Sequence, residues 1–278
     1  MALLRSKQGA IMLPLLLLAA SFASAPDAGP IVTPEWLQAH LNDPRVRVIC
    51  VGGMGDDSDY AHGHIPGARL LDHMATFVSS REALAHVFER VGVTDGVRVV
   101  LYGKSPMVTG WVNSALASIG FTDVSWLDGG LPAWRADNRA LERATPAAAT
   151  GTLSVRPAPD FFVDVTWLRA HLNSPEIKLL DVRSDREWKG GHLPGATLIL
   201  WQDLFADSER QKFKSPEEIR ALVTRAGVKP DQQVVSYCQM GMRASLMTFA
   251  LRAAGVNARV YLPGWDGWSK DSANPVVR

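Results

Sequence analysis

One cysteine in this chain lies in a setting suited to a nucleophile. Cys238-Gln239-Met240-Gly241-Met242-Arg243-Ala244-Ser245 follows directly on the apolar run Val234-Val235-Ser236-Tyr237 and precedes a helical pattern. In open parallel sheets, ligands gather at the carboxyl ends of strands. A loop curling from strand into helix turns successive backbone N–H groups inward, and the helix start adds positive potential. Such a cradle favours an anion, the thiolate of Cys238 included. Gly241 permits a backbone turn that a side chain would obstruct. Arg243, at the helix start, supplies a fixed positive charge or locks the loop by pairing with a carboxylate. Gln239, Met240 and Met242 complete the loop. A buried, inert thiol is the commoner fate of a lone cysteine, and the loop context argues against it here.

The elements that must position this loop alternate in type, the pattern of a mostly parallel sheet flanked by helices. Thr166 to Leu172 reads as a short helix and Ile177 to Val182 as a buried strand ending in Asp181-Val182-Arg183. Ser215-Pro216-Glu217-Glu218 is a helix start with Ser as cap, Pro at the first position and Glu218 closing a capping box. That helix runs to about Ala226 and stops at Gly227; Val234 to Tyr237 is the next strand. A helix from about Arg243 to Ala254 is stopped by Gly255, and Val260 to Leu262 is a last strand.

The same order occurs twice. Trp36-Leu37-Gln38-Ala39-His40-Leu41-Asn42-Asp43-Pro44 returns as Trp167-Leu168-Arg169-Ala170-His171-Leu172-Asn173-Ser174-Pro175, a shift of 131. Gly63-His64-Ile65-Pro66-Gly67-Ala68 returns as Gly191-His192-Leu193-Pro194-Gly195-Ala196, a shift of 128. Gly92-Val93 and Val99-Val100-Leu101-Tyr102 return as Gly227-Val228 and Val234-Val235-Ser236-Tyr237, a shift of 135. The chain therefore reads as two copies of one domain, 30–143 and 160–278, joined by an Ala-, Thr- and Pro-rich linker over 144–159. At shift 135, Cys238 falls on Gly103, Gly241 on Pro106 and Arg243 on Val108. The first copy lacks nucleophile, loop glycine and loop arginine together, and is expected to cover and shape the second. Trp111 and Trp126 are expected to pack in its core.

Composition narrows the classes. The 278 residues are 47% apolar and 21% charged, which excludes disorder and low-complexity structure. Twenty-nine basic against 28 acidic residues give a net +1, so no overall field draws the chain to nucleic acid. Two cysteines are too few for a disulfide scaffold or a four-cysteine zinc site. Arg5 and Lys7, the apolar run Ile11 to Ala20 and Ala23-Ser24-Ala25 read as a signal peptide over 1–25. Its removal would take the charge to −1 and leave an exported, periplasmic protein without stable membrane insertion. Cys50 reads as a buried thiol at a strand end; a disulfide to Cys238 would sacrifice the nucleophile.

Four segments in order carry a resemblance: Cys-x-x-Gly-x-Arg after a strand, Leu180-Asp181-Val182-Arg183, Gly191-His192-Leu193-Pro194-Gly195-Ala196, and Leu262 to Trp268. Together they resemble the tandem rhodanese sulfurtransferases, a family that includes proteins with a silent first copy and an active second one. The resemblance implies an α/β fold of two tandem rhodanese-like domains. It implies transfer of a sulfane sulfur from a small anionic donor, thiosulfate or 3-mercaptopyruvate, through a persulfide on Cys238. The acceptor would be cyanide, a small thiol or a protein dithiol, with no metal or organic cofactor.

The chain also departs from that family. The loop carries neither the basic residues of the thiosulfate users nor the small ones of the mercaptopyruvate users. Glu187 stands where the tandem enzymes tend to place an arginine, so an acid there would repel an anionic donor unless Arg186 or Lys189 compensates. Asp181 is expected to pair with Arg243 and hold the loop, alongside Arg183. His192, with its twin His64, reads as structural; Trp265 and Trp268 wall the pocket or fill space. Two other classes fit less well. A phosphatase or arsenate-reducing enzyme of the related fold needs five residues between cysteine and arginine, and four separate Cys238 from Arg243. A non-catalytic module binding a periplasmic sulfur or redox partner has no evident need of a thiolate.

Overall fold

The computed structural model describes residues 28–53, 57–148, 150–158, 160–209 and 211–278. The signal-peptide reading of 1–25 lies outside the described residues. Among the described residues, no helix is long and apolar enough to cross a membrane.

The first unit runs β1 (Ile31–Val32), α1 (Pro34–His40), β2 (Val46–Gly52), α2 (Asp57–His62), β3 (Arg69–Asp72), α3 (Arg81–Glu89), β4 (Arg98–Gly103), α4 (Pro106–Ser118), β5 (Val124–Leu127) and α5 (Gly130–Ala136). The second runs α6 (Val165–His171), β6 (Ile177–Asp181), α7 (Asp185–Lys189), β7 (Thr197–Leu198), β8 (Phe205–Asp207), β9 (Lys212–Phe213), α8 (Pro216–Arg225), β10 (Gln233–Tyr237), α9 (Met242–Ala253), β11 (Ala258–Val260) and α10 (Gly264–Ser269). Two parallel sheets result, ordered β1-β5-β4-β2-β3 and β11-β10-β6-β7. Only the β8–β9 ribbon is antiparallel among these strands. In the second sheet, the place β1 holds in the first is reduced to a bridge between Phe162 and Val260.

The register makes the two units correspond residue by residue. Cys50 on β2 faces Tyr102 on β4, and Asp181 on β6 faces Tyr237 on β10. The central strands β4 and β10 are buried nearly throughout, as strands covered on both faces require. The capping box foreseen at Ser215 is present: the Ser215 hydroxyl accepts from the Glu218 amide, and the Glu218 carboxylate accepts from the Ser215 amide at 2.8 Å. The last strand lies two residues earlier than its apolar run suggests. Val260 ends the ladder, and Leu262 leads into the turn that opens α10.

The segment between the units is not a bare tether. Leu153 is buried and Val155 packs against the first core. Gly151 donates to the Glu89 carbonyl, and a Cβ at Gly151 would stand 1.7 Å from the Val93 carbonyl oxygen.

The units meet through α4 and α9. Trp126, 1% exposed, packs against Phe213 and Phe249 of the second unit with ring centroids 5.4 Å away in each case. It is therefore core, as its sequence suggested, but core shared by both units. Trp111 is only partly buried; it stacks on Phe77 and donates to Thr76. Gly110 on α4 lets the two helices touch, since a Cβ there would lie 2.7 Å from the Leu246 amide nitrogen. In a free helix, Gly→Ala is stabilising by about 1 kcal/mol. Here Gly110→Ala should instead destabilise the protein by about 1 kcal/mol or more, because backbone leaves no room to relax. Urea unfolding of the two proteins reads the sign directly.

Candidate active site

The loop grows out of β10 as its residues dictate. The strand ends at Tyr237; the chain then turns at Gly241, whose φ of +89° is left-handed, and enters α9 at Met242. A Cβ at Gly241 would meet the Leu262 carbonyl oxygen at 2.8 Å, so the position has neither the torsion nor the room for a side chain. The turn brings the Gly241 amide to 3.1 Å from Cys238 Sγ, as a donor to sulfur. Cys238 itself is 1% exposed and lies at the floor of the loop. Neither Cys50 nor Cys238 is in a disulfide.

Beneath the loop lies a buried ion pair. Arg183 and Asp181 have side chains 1% and 0% exposed. Arg183 Nε donates to both Asp181 oxygens at 3.0 Å, and Nη2 donates to Oδ2 at 2.7 Å and to the Gly191 carbonyl at 2.6 Å. Its Nη1 donates to Gln239 Oε1 at 3.2 Å. Burial pulls the guanidinium pKa down, and the Asp181 hydrogen bonds more than offset it, so the net shift is upward. Gln239 passes the contact on, donating through Nε2 to Asp266 Oδ1 at 2.5 Å. The guanidinium carbon also sits 4.9 Å from the Trp265 ring centroid.

The expected pairing of Asp181 with Arg243 is therefore wrong. Asp181 stands at the bottom of the strand end, two residues from Arg183, and Arg183 occupies its oxygens. Arg243, a full turn of loop further on, reaches Glu187 on α7 instead: Nη1 to Oε2 at 2.8 Å and Nη2 to Oε1 at 2.7 Å. Glu187 is fixed for this role by its own helix, because Oε2 also accepts from the Ser184 amide and hydroxyl in a capping box. Arg243 and these capping bonds hold the Glu187 carboxyl down to about 2. Glu187 in turn raises Arg243, to which the nearby Cys238 also contributes. The acid thus meets a cation of its own chain, and neither of the flanking cations is used: Lys189 pairs with Asp185 at 2.5 Å, and Arg186 is exposed.

Of the remaining loop residues, Met240 is 64% exposed at the rim, and Met242 opens α9. Trp268 is core, whereas Trp265 is partly buried against Arg183. His192 is structural as expected: its ring stacks on Trp188 and its Nδ1 lies 3.3 Å from the Trp188 carbonyl.

Sequence reasoning did not single out Asp266 and Gly264. Gly264 lets the 262–268 segment close on the loop, since a Cβ there would stand 2.4 Å from the Cys238 carbonyl oxygen. The amides of Trp265 and Asp266 donate to the carbonyls of Cys238 and Gln239 at 2.7 and 3.2 Å. Both residues lie within the Gly-Trp-Asp-Gly run 264–267, a signal that was visible but carried no assignable partner.

Fold and site together define two tandem α/β units, the second of which carries a loop cysteine where its central strand hands over to a helix. Residues 33–137 and 164–271 each match the model of the rhodanese-like domain. The chain belongs to the rhodanese family of sulfurtransferases. It is 30% identical to the sulfur carrier protein TtuD of Thermus thermophilus, over 89% of this chain and 96% of that one. It is 28% identical to the thiosulfate sulfurtransferase of Azotobacter vinelandii, over 92% and 98% of the two chains. Among solved structures, the 3-mercaptopyruvate sulfotransferase SseA of Escherichia coli shares the fold with a TM-score of 0.74 at 24% identity, covering 86% of this chain and 99% of that one.

Since Glu187 has a lowered pKa, its pair with Arg243 stabilises the protein fully above the ordinary carboxyl value of 4.5 and is lost as pH falls toward about 2. The stability difference between the native protein and Glu187→Gln should be constant at neutral pH and shrink below pH 4.5. Denaturant titrations at several pH values measure it.

Proposed function

We propose that Cys238 is the nucleophile of a double-displacement sulfur transfer. The thiolate attacks the outer sulfur of thiosulfate; the S–S bond of the donor breaks and sulfite leaves with its electron pair. With 3-mercaptopyruvate the C–S bond breaks instead, and the departing carbon takes a proton to give pyruvate. The persulfide then yields its terminal sulfur to cyanide, a small thiol or a protein dithiol, and Cys238 returns as thiolate. The observation that carries this reading is the 3.1 Å contact from the Gly241 amide to Cys238 Sγ at the mouth of α9. A dipole already aimed at sulfur stabilises the charge that gathers there, with no reorganisation at the moment of transfer. Four residues between Cys238 and Arg243 make a cradle one amide smaller than an oxyanion ring, which supports the sulfur reading over a phosphatase.

The test is the mass of the intact protein after incubation with thiosulfate or 3-mercaptopyruvate. A gain of one sulfur atom, removed by cyanide, is expected in the native protein and in Cys50→Ser but not in Cys238→Ser. Equal loss in both variants would contradict the assignment.

Charge at the rim bears on the donor. In Arg243 the loop cation is already neutralised by Glu187, so a doubly charged donor meets little net attraction. Glu187→Gln removes the competing carboxylate and should raise kcat/KM for thiosulfate by about tenfold, equal to about 1.4 kcal/mol. Arg243→Ala should lower turnover by at least as much. Steady-state assays of the two variants with thiosulfate and cyanide measure both effects.

A further inference from the structure

The residue that follows the loop cysteine is gripped by both its main chain and its side chain. The Gln239 carbonyl accepts from the Asp266 amide at 3.2 Å, and the Cys238 carbonyl before it accepts from the Trp265 amide at 2.7 Å. The Gln239 carboxamide spans two charges: Oε1 accepts from Arg183 Nη1 at 3.2 Å, and Nε2 donates to Asp266 Oδ1 at 2.5 Å. Its orientation is thereby fixed, with the oxygen facing a cation and the nitrogen an anion. Asp266, in the first turn of α10, thus holds one residue twice, through its own N–H and through its carboxylate.

These contacts set the direction of the loop amides. In a planar trans peptide the N–H points opposite to the C=O. With the carbonyls of Cys238 and Gln239 turned toward Trp265 and Asp266, the N–H groups of Gln239 and Met240 face away from that segment. Among the described residues, neither N–H has an acceptor in the protein. The Gly241 amide, next in line, donates to Cys238 Sγ.

The first unit separates the two halves of this grip. The loops align at a shift of 135 and the last strands at 134, so Gln239 falls on Lys104 and Asp266 on Pro132. By strand register Arg183 falls on Gly52. Pro132 has no N–H to give, and the Lys104 carbonyl takes a hydrogen bond from Gln211 Nε2 instead, at 2.5 Å. A tethered loop carbonyl is therefore common to both units, with or without a cysteine. The carboxamide held between a guanidinium and a carboxylate belongs to the cysteine-bearing unit alone, whereas a bond needed for folding would serve both.

We propose that Asp266 is a positioning residue for sulfur transfer at Cys238, acting through the Gln239 carboxamide to hold the loop amides at the angle that meets sulfur. The proposal rests on the sulfur-transfer reading of Cys238. A hydrogen bond to a carboxylate is stronger than one between neutral groups, which suits it to restraining the residue beside a nucleophile.

Single-turnover loading of Cys238 from thiosulfate, followed by the intact mass of the full chain, tests it. Asp266→Ala keeps the main-chain amide and should slow loading at saturating thiosulfate by about tenfold or more, as small displacements of reacting groups do. The half-saturating thiosulfate concentration should stay within about twofold, since the loss falls on the transfer step. Asp266→Asn still offers an oxygen to Gln239 Nε2 and should restore loading to within about threefold of the native rate. Gln239→Ala should slow loading as Asp266→Ala does, and the double variant should be no slower than Gln239→Ala, because both break one path. Native rates in Asp266→Ala, losses that multiply in the double variant, or failure of Asn to rescue would overturn the proposal and leave sulfur transfer standing. A native protein that takes up no sulfur would overturn both.

Discussion

Arg183 makes the second unit a site. Its guanidinium is withdrawn from water and shared among Asp181, the Gly191 carbonyl and Gln239, so three separate stretches of chain are fixed to one planar group. Burying two charges is costly, and the attraction between them offsets this only when every donor and lone pair is used. Here four of the five guanidinium N–H groups have acceptors, Nε–H sharing its hydrogen between the two Asp181 oxygens, and an aromatic face covers the group, which comes close to that condition. Removing one partner of such a pair typically costs about 3–5 kcal/mol. The loop above therefore rests on a foundation that has one low-energy arrangement, and Cys238 inherits its position from it.

A second pair lies nearer solvent and serves a different end. Glu187 and Arg243 neutralise each other at the rim, with Glu187 already committed to capping its own helix. The deeper pair sets geometry, while the outer pair sets the field a donor meets. The two pairs share no residue, so a change at position 187 leaves the contacts of Arg183 with Asp181 in place.

Much of this was legible in the sequence. The repeats, the Ser215 capping box and the strand–loop–helix handover at Cys238 are local patterns, and local patterns are what periodicity and turn chemistry reveal. Pairing was not. Asp181, Glu187, Arg183 and Arg243 offer two carboxylates and two guanidiniums, and only the depth of β6 relative to α7 decides which meet. Asp266 escaped notice for the same reason, since its partner Gln239 lies 27 positions away. The interface role of Trp126 and the close approach at Gly110 depend on how two units dock, which no single-domain pattern encodes.

The carbonyls of Cys238 and Gln239 are held by amides that follow nearly thirty residues later in the chain. The Cys238 loop is thus assembled from parts that arrive at different times. During synthesis the thiol leaves the ribosome before the Gly264 turn that seats it. Closure of the Cys238 loop is in this sense a late event of folding, since it waits on residues that emerge after the loop itself.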